Sequence, residues 1–215
     1  PLTSIRGYLE AMQDGTIPPE MYDKYLQIVI NETDRLTKLT NSLLTLNNLN
    51  TKGMILEKTD FDINEVIRNT VASFEGTCKT KMIGVEIVLT GDEMLVVADQ
   101  GRIQQVIYNL LDNAIKFSHN NSVIKVETTE KKNKIFISIK DNGIGIPKED
   151  VKMIWDRFYK SDSSRGKDKK GTGLGLSIVK EIINAHNENI NVISTLGAGT
   201  EFIFSLQKSD KNEED

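Results

Sequence analysis

Apolar positions along the first fifty residues recur with the period of a helix. Leu2, Ile5, Leu9 and Met12 follow steps of three, four and three, which puts them on one stripe. Asp14-Gly15 and Pro18-Pro19 break that helix, because glycine loosens the backbone and proline lacks an N–H donor. A second helix is predicted from about Pro19 to Asn50. Its stripe is Tyr25, Val29, Glu32, Leu36, Leu39, Leu43 and Leu46, close to heptad spacing with one polar member. Two helices joined by a short turn form an antiparallel hairpin, and a lone hairpin leaves apolar surface on its far side. A four-helix bundle made by two copies covers that surface, so the pattern predicts a homodimer.

Thr51-Lys52-Gly53 closes the hairpin, and from Thr59 the period is mixed. Asp62 is placed to cap a helix running to about Lys79. Residues 85–89 and 94–98 read as a strand pair around Gly91-Asp92. A helix from Asp99 to Phe117 buries Ile103, Val106, Ile107, Leu110, Ala114 and Phe117. Val123 to Thr129 and Ile135 to Lys140 alternate as strands. Pro147 to Phe158 and Gly173 to His186 read as helices, and Ile190 to Ser194 with Thr200 to Leu206 as closing strands. Trp155, Phe158 and Tyr159 read as one aromatic anchor ahead of a mobile, Lys-rich loop from Ser161 to Gly171. Residues 209–215 read as a disordered tail. The expected fold class is α+β: an N-terminal helical hairpin, half of a dimeric four-helix bundle, then an α/β sandwich of a mixed sheet with helices on one face.

Composition adds limits. Lys+Arg total 27 against 31 Asp+Glu, a formal charge of −4, so nucleic acid is not an expected partner. The single cysteine, Cys78, cannot close an internal disulfide. No apolar run approaches the roughly 20 residues that span a bilayer. The chain opens at Pro1, inside a helix and without Met, and reads as a fragment of something longer.

Three segments carry chemistry. Asp141-Asn142-Gly143-Ile144-Gly145-Ile146-Pro147 follows an alternating strand, and its glycines let backbone come close to a ligand. A fixed carboxylate at Asp141 accepts a hydrogen bond from the six-amino group of adenine and repels the oxygen of guanine there. Gly171-Thr172-Gly173-Leu174-Gly175-Leu176 opens a helix, whose free N–H groups and positive dipole end suit phosphates. Its spacing is neither that of a Walker A loop nor that of a dinucleotide fingerprint. On the 99–117 helix, Asn109, Asn113 and Lys116 share one face. Amide oxygens are neutral hard ligands for Mg²⁺, and an ammonium offsets phosphate charge. Lys160, Arg165, Lys167, Lys169 and Lys170 make the polar loop basic.

Together and in order these segments resemble the boxes of sensor histidine kinases. Residues 109–117 resemble the N box, 141–147 the G1 box, Arg157-Phe158-Tyr159 the F box and 171–176 the G2 box. Pro1 to Tyr8 resembles the stretch after the core of the H box. The resemblance implies a dimerisation and phosphotransfer hairpin at 1–54 and a Bergerat-type catalytic ATP-binding domain at 58–208. It implies ATP and Mg²⁺ as cofactors, with Asn113 and Asn109 at the metal and Lys116 at phosphate. Phe117, Asp141, Gly143, Gly145 and Ile146 would line the nucleotide. Tyr159, Lys160, Gly171, Thr172, Gly173, Leu174, Gly175 and Leu176 would complete its contacts. The acceptor His of the family would lie five positions before Pro1, so no catalytic residue is assigned; His119 and His186 lie off the hairpin and read as structural. The resemblance further implies a response-regulator receiver domain as partner and a parent anchored at the cell membrane, this portion being cytoplasmic. ATP-hydrolysing relatives of the fold carry a water-activating Glu where Asn109 stands, and an amide cannot be that base. The alternatives are a related ATPase and a non-catalytic dimerisation module.

Overall fold

Helix α1 (Leu2–Gln13) ends at Asp14, whose carboxylate accepts from Thr16 N at 2.9 Å while Gly15 takes φ +79°. A 3-10 turn at Pro19–Met21 leads into α2 (Tyr22–Lys52). Proline at the start of that turn forfeits no bond, since the first N–H groups of a helix have no internal acceptor. The hairpin is cross-tied by Tyr22 Oη donating to Met12 O at 2.8 Å and by the Tyr8 and Tyr25 rings at 5.3 Å. Met12 and Ile17 are buried beneath the turn, while Leu2, Leu9, Leu26 and Ile30 stay exposed. This computed structural model describes residues 1–52, 55–161 and 171–210, without the side chains of residue 38 and residues 41–52. The side chains of Leu43 and Leu46 of the second stripe, and residues 162–170 and 211–215, with Arg165, Lys167, Lys169 and Lys170 of the loop, therefore lie outside what is described. The hairpin and the remainder are two compact units, Pro1–Thr51 and Lys52–Asp215.

The second unit contains β1 (Thr59–Asp62), α3 (Ile63–Ser73), α4 (Glu75–Lys81), β2 (Gly84–Val88), β3 (Leu95–Ala98) and α5 (Gln100–Phe117). After these come β4 (Val123–Lys131), β5 (Lys134–Asp141), α6 (Gly175–Ala185), β6 (Ile190–Thr195) and β7 (Gly199–Gln207). Five strands form one mixed sheet in the order β2-β4-β5-β7-β6, parallel only between β2 and β4. Alternation along β5 decides which face is inside. Ile135, Ile137 and Ile139 point toward the helices and are buried, as are Phe202, Phe204 and Leu206 on β7. Each such side chain contributes about 1.5–3 kcal/mol, and a one-residue slip would turn all of them to solvent. Ile103, Val106, Ile107 and Leu110 of α5, with Ile178, Val179, Ile182 and Ile183 of α6, supply the facing layer.

Several expected elements differ. Residues 85–89 and 94–98 are not a hairpin: β2 joins β4 in the large sheet, and β3 pairs antiparallel with β1. The physical reason lies in Asp62, whose Oδ1 accepts from Met94 N at 2.9 Å and draws β3 to the start of α3. The helix after Asp62 is two helices, broken at Phe74 and ending at Met82 in a left-handed turn. Pro147 to Phe158 is not a helix but turns around a 3-10 segment, Met153–Trp155. The aromatic anchor does not exist as one cluster: Trp155 packs edge-on against Phe202, Tyr159 Oη donates to Asp150 Oδ1 at 2.7 Å, and Phe158 is exposed. Ser209 is not frayed, since it is buried, donates from its N to Leu95 O at 2.9 Å and bonds Asp60 through its hydroxyl at 2.6 Å.

Asp62 caps α3 through Asn64 N at 2.9 Å and Glu65 N at 3.2 Å, besides holding Met94. We predict that Asp62→Ala lowers the unfolding free energy of the second unit by about 2 kcal/mol, the upper end for an N-cap, because a strand bond goes with the cap. Urea denaturation followed by circular dichroism measures it; a loss below a few tenths would contradict the double role.

Candidate functional site

Strand β5 delivers Asp141 to the edge of the core, where the side chain is 5% exposed. Its Oδ1 accepts from Gly143 N at 2.9 Å and from Thr200 N at 3.3 Å. No donor among the described residues reaches Oδ2. Burial raises the Asp141 carboxyl to about pH 6, against the opposing pull of the two backbone donors and the nearby His119.

Backbone closes around this carboxylate where side chains would not fit. A Cβ on Gly143 would strike Phe117 O and lie 2.8 Å from Asp141 Oδ1. Gly145 has φ +67°, and a Cβ there would strike Thr195 O. Gly199 has φ +122°, and a Cβ there would strike Asp141 O. The loop after Asp141 is pinned on both sides. Ile144 N donates to Phe117 O at 3.2 Å, Gly197 N to Ile144 O at 2.7 Å, and Ile146 N to Ser194 Oγ at 2.8 Å. Asp141, Gly143, Gly145 and Ile146 are thus brought together with Phe117, which ends α5.

Two amides lie further back along α5. Asn109 Nδ2 is buried with no hydrogen-bond partner among the described residues, and so is Ser118 Oγ just past α5. The Asn109 Oδ1 lies 3.9 Å from where a Gly175 Cβ would stand, so this amide sits against the start of α6. Asn113 is half-buried one turn on, and its side chain makes no hydrogen bond among the described residues. Lys116 is held by Asp112 at 2.5 Å, which limits its reach. Lys81 donates to Ile115 O at 2.7 Å and so complements the negative end of α5.

On the glycine side, Gly173 has φ +71° and accepts at its O from Phe158 N at 2.9 Å. A Cβ on Gly173 would meet the Phe158 backbone at 2.7 Å. The Leu174 N donates to Thr172 Oγ1 at 3.3 Å, and Leu174 itself is buried. Helix α6 begins at Gly175 with no side-chain cap, which leaves its first N–H groups for another acceptor. Gly171, Gly175 and Leu176 are half-buried along this stretch. Lys160 is half-buried at the end of the segment that pairs with Gly173, whereas Tyr159 is turned toward Asp150. His186 is buried, its Nε2 accepting from Asp99 N at 3.0 Å with Nδ1 against Ile182 O at 2.8 Å. It ties the end of α6 to the start of α5.

Asp112 holding Lys116, Thr200 N on Asp141, and Ser194 escaped sequence reading. The available signal for the last was its place opposite Thr200 across the Gly197-Ala198-Gly199 turn. Among the described residues no cluster of three His, Cys, Asp or Glu side chains is placed to hold a metal, so a cation here would rely on amide oxygens and on a ligand's own anions. No described helix is long and apolar enough to cross a membrane.

A mixed sheet with helices on one face, and a buried carboxylate held by backbone donors at the end of its central strand, defines the class: an α/β sandwich. The family described as histidine kinase-, DNA gyrase B-, and HSP90-like ATPase matches residues 98–210, and the His Kinase A (phospho-acceptor) domain matches residues 1–52. The chain belongs to the two-component sensor histidine kinase family. Sensor histidine kinase WalK of Bacillus subtilis (strain 168) is 36% identical over 220 residues, which cover 100% of this chain and 36% of WalK. The chain thus spans little more than a third of that relative's length. The structure of histidine kinase AdeS of Acinetobacter baumannii superposes with TM-score 0.77 at 27% identity, covering 98% of this chain and 95% of that one. Histidine kinase ThkA, solved in complex with response regulator protein TrrA, also gives TM-score 0.77, at 30% identity over 98% of this chain and 59% of that one.

Linkage gives the sign of a pH effect at Asp141. Its folded value, about 6, lies above the ordinary 3.8, so the folded state holds the extra proton between these limits and stability falls as pH rises through them. We predict that Asp141→Asn, which keeps an acceptor oxygen, stabilises the ligand-free protein by about 1–3 kcal/mol above pH 6, and that the gain shrinks toward pH 4. Urea titrations across that range test it; a gain constant with pH would refute the buried-charge cost.

Proposed function

We propose that residues 58–208 bind Mg²⁺–ATP at this site and, within the intact parent, act as an ATP-dependent protein histidine kinase. Asp141 carries the reading: a buried carboxylate with one oxygen taken by backbone donors and no donor on the other selects a base that offers an amine. Gly143, Gly145 and Ile146 shape the base end, with Phe117 beside it. Asn109 fits the phosphate end, since its orphaned Nδ2 lacks an acceptor that a phosphate oxygen supplies. Asn113 and the Asn109 Oδ1 would hold Mg²⁺, which supplies charge neutralisation on the phosphates. The first N–H groups of α6, after Gly171, Thr172, Gly173 and Leu174, would receive phosphate oxygens, with Gly175 and Leu176 at the helix start. Lys116 joins them only by leaving Asp112, and Lys160 follows the segment whose Phe158 N bonds Gly173 O. Tyr159 serves by fixing that segment to Asp150.

Asn109 cannot abstract a proton from water, so hydrolysis is slow and the terminal phosphoryl is left for a positioned imidazole. Residues 1–54 contain no His, and His186 is used structurally. We assign residues 1–54 to the dimerisation hairpin, where exposed Leu2, Leu9, Leu26 and Ile30 are the surface a second copy would cover, and the 209–215 segment to neither domain. A response-regulator receiver domain is the partner of the parent. That ThkA was solved with its response regulator supports it. The parent's anchorage at the membrane, with this portion cytoplasmic, is part of the same proposal.

Calorimetry tests the reading. Mg²⁺–ATP binds, Mg²⁺–GTP binds at least about tenfold more weakly, and Asp141→Asn loses at least about tenfold in ATP affinity. Equal affinity for both nucleotides would overturn the role of Asp141. Incubated with γ-labelled ATP, this chain of 215 residues carries no acid-labile label; label on it would refute the absence of an acceptor.

A further inference from the structure

Ser194 lies on β6, paired in register with Thr200 of β7. Its hydroxyl has one proton to give and room for two to receive. Three partners meet it. Ile146 N donates to Ser194 Oγ at 2.8 Å, Ser194 Oγ donates to Gly199 O at 2.9 Å, and the Thr200 hydroxyl lies at 2.8 Å. With its proton on Gly199 O, Ser194 can only accept from Thr200, so the direction of every proton in the set is fixed. The hydroxyl is saturated.

These partners are not scattered. Ile146 ends the loop that closes on Asp141. Gly199 is the residue whose absent Cβ lets β7 pass against Asp141 O, and Thr200 N is one of the two donors on Asp141 Oδ1. Across the seam between this loop and the β6–β7 hairpin, Gly197 N to Ile144 O is a backbone bond, and Ile146 N to Ser194 is the one among the described residues made to a side chain. Substitution can therefore remove the second without touching the first.

We propose that Ser194 is a positioning residue for the base end of the nucleotide site: it locks the 143–146 loop to the last hairpin and holds Thr200 N on Asp141. The proposal rests on the adenine-nucleotide reading above. Its consequence reaches beyond packing, because a loosened Thr200 N–H withdraws a bond that favours the ionised carboxylate. The groups facing Asp141 are then Gly143 N, a weakened Thr200 N and the imidazole of His119, which is the same in every variant compared. ATP affinity should fall as pH drops through the titration of Asp141, and loss of Ser194 should raise that midpoint.

The test is ATP titration calorimetry from pH 5 to 8 on the whole chain, with melting curves as a control of folding. Ser194→Ala is expected to weaken ATP binding about five- to tenfold at neutral pH and to move the midpoint upward by about half a pH unit. Ser194→Thr, which keeps the hydroxyl, is expected to restore both. If the alanine variant does not fold, Ser194→Cys, similar in size but a weak acceptor, carries the same expectations. Unchanged affinity and midpoint in the alanine or cysteine variant would overturn the proposal, and so would a threonine variant as defective as alanine. Should the unsubstituted chain fail to bind Mg²⁺–ATP, or Asp141→Asn bind it equally well, the nucleotide reading falls and this proposal with it. Loss on Asp141→Asn with no effect at Ser194 sinks the Ser194 role alone.

Discussion

A carboxylate held out of water at the end of the central strand constrains everything built around it. Burial alone would drive Asp141 to take up a proton, and directed N–H groups, with the nearby His119, oppose that. Those donors come from backbone, at Gly143 and Thr200. Gly143 and Gly199 flank the carboxylate, and a Cβ on them would collide with Phe117 O and Asp141 O. One charge thus fixes the end of α5, the loop after β5 and the last β-hairpin relative to each other. In its ionised form this buried group costs the protein stability.

Helix α5 shows how the fold serves two demands on one element. Ile103, Val106, Ile107 and Leu110 pack on the sheet, while Asn109 and Asn113 lie on another face. The two sets interleave along the sequence and separate only when wound at 3.6 residues per turn. Substitutions one position apart therefore act differently: at Leu110 through the core, at Asn109 through the candidate site. The orphaned Asn109 Nδ2 costs stability in the same sense as the Asp141 charge.

The local segments that make up the candidate site were more legible in the sequence than the strand pairing. Asp141 and its glycines, the amides of α5 and the glycines before α6 each form a local signal, because turns and helix faces are set by neighbours in the chain. Pairing is not local. Residues 85–89 and 94–98 look like a hairpin around Gly91-Asp92, yet Asp62 Oδ1, 32 positions before Met94, takes Met94 N and diverts β3 to β1. The aromatic run at 155–159 failed for the same reason: Phe202, Asp150 and Gly173 each claim a different member. Ser194 looked like an ordinary strand residue until register placed it against Thr200.

The two ends of α6 are secured unequally. Its C-terminus is fastened to the start of α5 through His186, whose Nε2 must stay unprotonated to accept from Asp99 N, and burial keeps that imidazole below its ordinary range. Its N-terminus has no side-chain cap; what precedes it is Gly173, whose positive φ and backbone bond to Phe158 set the direction of entry. Between these ends Ile178, Val179, Ile182 and Ile183 are buried. One short helix thus supplies core side chains along its length and uncapped N–H groups at its start.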